Sequence, residues 1–155
     1  MIAYPNVKVN LGLSVLRKRP DGYHDLETLF IPYFDIHDTL EIITGEDFSR
    51  TSASLFERYS NIRQAIREDG KVMVTIAKAG GVDWDPLEDL TVKAYGLLDE
   101  EFGLPPVKIF LEKTAPVGAG LGGGSADAAF ALRMLSELFA LGLDDAALAA
   151  HASRL

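Results

Sequence analysis

The chain has 155 residues, enough for one domain that buries roughly two-thirds of its unfolded surface. A hydrophobic fraction of 48%, a charged fraction of 25% and a net charge of −8 place it among globular proteins and argue against a general binder of nucleic acid or anionic membrane. It has no cysteine, which excludes disulfides, thiolate metal sites and thiol nucleophiles.

Residues 4–16, YPNVKVNLGLSVL, alternate as a strand, with Val7, Val9, Leu11, Leu13 and Val15 on one face. Lys8, Asn10, Gly12 and Ser14 take the other face. The start of the chain, MIAYPNVKVN, has no basic region followed by an apolar run, so it does not read as a signal peptide. No apolar stretch approaches the ~20 residues of a bilayer span, and the expected location is cytoplasmic. RKRPDGYH (17–24) reads as a turn, and LETLFIPYF (26–34) and DTLEIIT (38–44) read as strands. Residues 45–70 are polar and irregular, with an amphipathic helix expected around Ala53–Arg67.

KVMVTIA (71–77) predicts a strand, and AGGVDWDP (79–86) a loop. Residues 89–102 carry helical spacing that Gly103 and Pro105-Pro106 terminate. VKIFLEK (107–113) is a strand, ADAAFALRMLSELFAL (126–141) an apolar helix, and Asp144 a cap for a last helix. Strands dominate the first part and helices mix in later, which predicts an α+β fold. His37 and His151 read as structural residues.

Between the last strand and its helix lies PVGAGLGGGSADAA, in which Gly118, Gly120, Gly122, Gly123 and Gly124 precede Ser125. Strand, glycine loop and helix in that order suit a phosphate cradle, because the backbone comes close to the ligand and the helix N-terminus presents free N–H groups. Ser125 is placed to cap the helix or to donate its hydroxyl to a phosphate oxygen. Gly118, Gly120 and Gly123 formally match a dinucleotide fingerprint, but its acidic residue should follow a second strand, and Asp144 and Asp145 lie between two helices. A P-loop would end in Gly-Lys-Ser/Thr, and this loop has no lysine. A ligand-free connection would rarely need five glycines before a helix.

PVGAGLGGGSADAA resembles the central motif of the GHMP kinases. PNVKVNLGLSVLRKRPDGYHDLETLF is similar to the N-terminal signature of the branch that phosphorylates 4-diphosphocytidyl-2-C-methyl-D-erythritol (CDP-methylerythritol) on the non-mevalonate route to isoprenoids. The likeness covers residues 4–44 and 88–142 and is weak over 45–87. It implies transfer of the γ-phosphoryl group of ATP, with Mg²⁺, to the 2-hydroxyl of that small-molecule substrate. It also implies a ribosomal-protein-S5-like α+β domain spanning 1–155, binding ATP and substrate, with a ferredoxin-like domain to follow.

By the same resemblance Lys8 is the catalytic lysine and Asn10 its substrate-binding neighbour, while Tyr23 and His24 hold the cytosine by stacking and polar contact. Pro116, Gly118, Gly120, Leu121, Gly122, Gly123, Gly124, Ser125 and Ala126 would surround the ATP phosphates, with metal ligands unassigned. Asp127 is read as an electrostatic support for the helix start, because the family's base is an aspartate in a Gly-x-Asp segment expected beyond Leu155. The chain alone is therefore expected to be inactive, with apolar surface exposed where a second domain packs. Asp89-Leu90 stands where the family has Asn-Leu, so adenine contacts transfer weakly. Two alternatives stay open: another GHMP kinase acting on homoserine or mevalonate, and a nucleotide-binding module without catalysis.

Overall fold

The computed structural model describes residues 1–45 and 47–155. A short β1 (Ile2–Ala3) precedes a long hairpin of β2 (Asn6–Lys18) and β3 (His24–His37), followed by β4 (Thr39–Thr44). Then come α1 (Ser52–Arg58), β5 (Arg63–Ile66), β6 (Val72–Lys78), α2 (Leu90–Phe102), β7 (Val107–Lys113), α3 (Gly123–Leu138) and α4 (Asp145–Ala152). Five strands form one sheet in the order β1-β4-β7-β6-β5, with β6 and β7 parallel and the other neighbours antiparallel. The hairpin β2-β3 is a separate two-stranded sheet. The architecture is α+β. Among the described residues, no helix is long and apolar enough to cross a membrane.

The alternation in β4, β6 and β7 sorts their side chains onto two buried faces. Leu40, Ile42, Val74, Ile76, Ile109 and Leu111 pack under Tyr95 and Leu98 of α2 and Leu132 and Leu135 of α3. Parallel neighbours require a crossover, and α2 provides it between β6 and β7. The opposite face, Ile43, Ala77 and Phe110, receives Leu55 of α1.

Two buried sheet carboxylates hold that small helix in place. Glu41 accepts from the Ser49 and Thr51 hydroxyls and from the Arg50 and Thr51 backbone amides. Burial would raise its pKa, but these donors outweigh burial and the carboxyl lies below its ordinary value. Glu112 accepts two guanidinium N–H bonds from Arg58, at 2.6 and 2.9 Å, and the Tyr59 hydroxyl at 2.8 Å. Leu55, Tyr59 and Ile62 thus supply the cover for this side of the sheet.

The structure differs from the sequence reading in three places here. The helix expected around Ala53–Arg67 ends at Arg58, where Tyr59 turns extended (φ −123°, ψ 123°), and Arg63–Ile66 instead pair with the edge of β6. Of the stretch expected to be irregular, residue 46 lies outside the described residues. In the hairpin, Gly12 is an unpaired extra residue with φ +68° between the pairs Leu11–Leu29 and Leu13–Thr28. This bulge flips the alternation, so Leu13 joins the face of Asn10, and Ser14 leaves it. The third difference is the start of α3, which belongs to the site.

Candidate functional site

β7 ends at Lys113 and α3 begins at Gly123, three residues before the expected start, so the glycine loop runs directly into the helix. The N-cap is Gly122, with φ +72° and no side-chain cap, and the first amide bonded back into the helix is that of Ala126, 2.9 Å from the Gly122 carbonyl. Ser125 is therefore not the cap; it lies in the first turn, exposed. An uncapped start leaves the Gly123, Gly124 and Ser125 amides to an anionic ligand. Gly122 is required twice over. Its φ lies in the left-handed region, and a Cβ there would meet Lys8 Cγ and Cε at 3.3 Å.

Lys8 reaches the loop from the hairpin. Its backbone amide donates to the Leu121 carbonyl at 2.9 Å, and its ammonium donates to the Gly120 carbonyl at 2.6 Å and to Asn10 Oδ1. Asn10 in turn donates to the Thr28 hydroxyl at 3.1 Å. The lysine and asparagine singled out in the sequence are thus joined to each other and to the loop. Tyr23 and His24 are not. They occupy the far end of the hairpin, where His24 pairs with Lys18 and Tyr23 is 72% exposed in a turn fixed by the Asp21 carboxylate.

A cleft of about 440 Å³ opens beside the loop. Pro116, Gly118, Gly120, Leu121, Gly122, Gly123, Gly124 and Ser125 form one wall, and Trp84, Glu88, Asp89 and Leu90 face them. Ala126 lies just inside α3 and does not line the cleft, and neither do Lys8, Asn10, Tyr23 or His24. Trp84 Nε1 donates to Asp89 Oδ2 at 3.2 Å, while Asp89 Oδ1 accepts the Thr91 amide at 3.0 Å to cap α2. Lys113 and Asp127 also border the cleft.

Beneath the loop these two residues join Asp38, from the β3–β4 junction, in a buried ionic cluster. Lys113 Nζ donates to Asp127 Oδ2 at 2.5 Å and to Asp38 Oδ2, and the Thr114 and Ala115 amides donate to Asp38 Oδ1 at 2.7 and 2.8 Å. A Cβ on Gly123 would lie 3.4 Å from Asp38 Oδ2 and 3.5 Å from Lys113 Nζ, so the helix start rests directly on the cluster. Burial works against the lysine's charge, but Asp127 and Asp38 outweigh it and raise its pKa. Burial, with Asp38 and Asp89 nearby, pushes the Asp127 carboxyl up to about 8. Asp127 Oδ1 is buried without a hydrogen-bond partner among the described residues.

Sequence reading missed Lys113, Asp38 and Trp84. A lysine ending the strand immediately before the glycine loop was the available signal for Lys113. Asp38 and Trp84 carried none. Among the described residues, no group of three His, Cys, Asp or Glu side chains could hold a metal ion.

Residues 89–155, the crossover helix, the loop and the helices after it, match the profile of the GHMP kinases N terminal domain. Across its whole length the chain is 45% identical, over 156 aligned positions, to the 4-diphosphocytidyl-2-C-methyl-D-erythritol kinase of Bacteroides fragilis. The chain is thus similar to the GHMP kinase N-terminal domain in its second part and to a 4-diphosphocytidyl-2-C-methyl-D-erythritol kinase along its whole length. It spans about half the length of the curated relatives it matches, 48% in that case. A crystal structure of a 4-(cytidine 5'-diphospho)-2C-methyl-D-erythritol kinase superposes on 98% of this chain and 46% of its own, with a TM-score of 0.61 and 34% identity. A homoserine kinase from Cytophaga hutchinsonii, at 15% identity and a TM-score of 0.54 over 79% of this chain, shares the fold.

Proposed function

We propose that this chain forms the nucleotide- and substrate-binding part of a kinase that transfers the γ-phosphoryl group of ATP to the 2-hydroxyl of CDP-methylerythritol. The observation that carries the reading is the glycine loop itself, held by Lys8 at the Gly120 and Leu121 carbonyls and running into an uncapped helix start beside the cleft. In this reading residues 1–155 are the S5-like domain of a longer, cytoplasmic enzyme of isoprenoid synthesis.

The loop residues Pro116–Ala126 surround the ATP phosphates, with the amides of Gly123, Gly124 and Ser125 donating to their oxygens. Trp84 and Leu90 offer the adenine an apolar wall. Lys8 stabilises charge on the phosphoryl oxygens as the bond to the β-phosphate breaks and the bond to the acceptor oxygen forms. Asn10 holds the ammonium in place and orients the acceptor. Tyr23 and His24, at the hairpin tip, clasp the cytosine of an extended substrate. Mg²⁺, arriving with the nucleotide, would neutralise phosphate charge.

The test uses a protein of the relatives' full length, incubated with ATP, Mg²⁺ and CDP-methylerythritol, with the new phosphomonoester read by phosphorus NMR. The reading requires product with this acceptor and none with homoserine or mevalonate. Replacing Lys8 by Ala should lower kcat by about 100-fold or more. Turnover of homoserine or mevalonate in place of the cytidyl substrate would overturn the assignment.

A further inference from the structure

The buried cluster under the loop has more charge than its contacts explain. Lys113, 4% exposed at its side chain, faces two carboxylates, Asp38 at 0% and Asp127 at 2%, so with both ionised the cluster is one unit negative. That is an unfavourable charge to keep directly beneath a helix start that presents its amides to an anion. The two acids are not equivalent. Asp38 uses both oxygens, taking two backbone amides on one and Lys113 on the other. Asp127 gives only Oδ2 to Lys113, while Oδ1 has no partner although the residue borders the cleft.

We propose that Lys113 is a second positioning cation of the phosphate site and that Asp127 is its proton-linked partner, taking up one proton when a phosphate ligand settles on the start of α3. The proton comes from the buffered solvent and bonds to Oδ1. The cluster passes from one negative charge to neutral, with Lys113 still charged 3.5 Å from the position of a Gly123 Cβ. The groups facing Asp127 from each packed element fit this assignment. Lys113 on β7 favours ionisation, whereas Asp38 before β4 and Asp89 at the cap of α2 oppose it. Glu88 borders the same cleft, and Lys8 packs over Gly122 on the far side of the loop. Burial already holds the carboxyl up at about 8, so the phosphates have only to push it further in the direction it leans.

The inference rests on the nucleotide reading of the loop, and the experiment separates the two. Calorimetric titration with MgADP is carried out at pH 6, 7, 8 and 9, each in two buffers of different ionisation enthalpy. One linked group with a free pKa of about 8 requires uptake of about half a proton at pH 8 and almost none at pH 6. Affinity should fall about tenfold between pH 7 and pH 9. Asp127→Asn should bind MgADP with an affinity flat across this range. The wild-type series decides the matter even if that variant does not fold. Binding whose affinity and proton count do not change from pH 6 to 9, or the same dependence in Asp127→Asn, overturns the proton linkage alone. Absence of MgADP binding at every pH overturns both the linkage and the nucleotide reading.

Discussion

The five-stranded sheet and the hairpin β2-β3 are written in nearly the same alternating code and have opposite fates. Ile42, Ile76 and Ile109 are fully buried between helices, whereas Leu11, Leu13 and Val15 stand 58–63% exposed, and Phe34 across the hairpin 67%. Alternation specifies a strand and two faces; it does not specify what covers them. In the sheet the cover is built from α1, α2 and α3. In the hairpin only the base is anchored, where Val7 is buried and Lys8 bonds the glycine loop. The hairpin's anchored end is thus the end that meets the glycine loop.

Perturbations should divide along that boundary. The largest loss is expected from Asp38→Ala, which leaves two loop amides without their acceptor in a buried site and Lys113 with one of its two carboxylates. Such a change costs about 3–5 kcal/mol in chemical denaturation, and a loss below about 1 kcal/mol would mean the cluster is not structural. Leu132→Ala, in the core under α3, should cost about 2–5 kcal/mol. Gly122→Ala forces a side chain into a left-handed backbone and against Lys8, at about 1–2 kcal/mol, and should also displace Lys8 from the loop. Leu13→Ala in the hairpin, by contrast, should change stability by about 0.5 kcal/mol or less. Equal losses for Leu132 and Leu13 would erase the distinction between the two regions.

A smaller effect concerns pH. Burial pushes the Asp127 carboxyl up to about 8 from its ordinary 3.8, so between those values the folded state holds a proton that the unfolded chain has released. Its contribution to stability is complete below about pH 4 and is lost as pH rises through about 8. Asp127→Asn should flatten this part of the stability profile relative to wild type. An unchanged slope between pH 5 and 8 would mean the carboxyl titrates normally.

Much of this organisation was legible. The strand, glycine loop and helix around residues 107–138 follow from local chemistry, as do the helix stop at Gly103 and the cap at Asp144. Lys8 and the loop could be assigned to one site through family likeness, and their contact spans 112 residues of sequence. What could not be read depends on distant partners. β5 exists because the edge of β6 takes Arg63–Ile66 as a strand, overriding local helical spacing. The bulge at Gly12 was hidden because glycine fits an alternating pattern as a small polar-face residue. Asp38 joins the site only when the β3–β4 junction meets β7, and Ser125 lost the cap role because Gly122 could take the left-handed position first.

The central claim is that Lys8 and the uncapped start of α3 make one phosphate site. Titrating this chain with a magnesium complex of a non-hydrolysable ATP analogue tests it most directly, in wild type and in Gly122→Val. The account predicts one molecule bound per chain, with affinity reduced by about tenfold or more when the valine side chain displaces Lys8 and occupies the loop. No binding by the wild type, or equal binding by both, would contradict it.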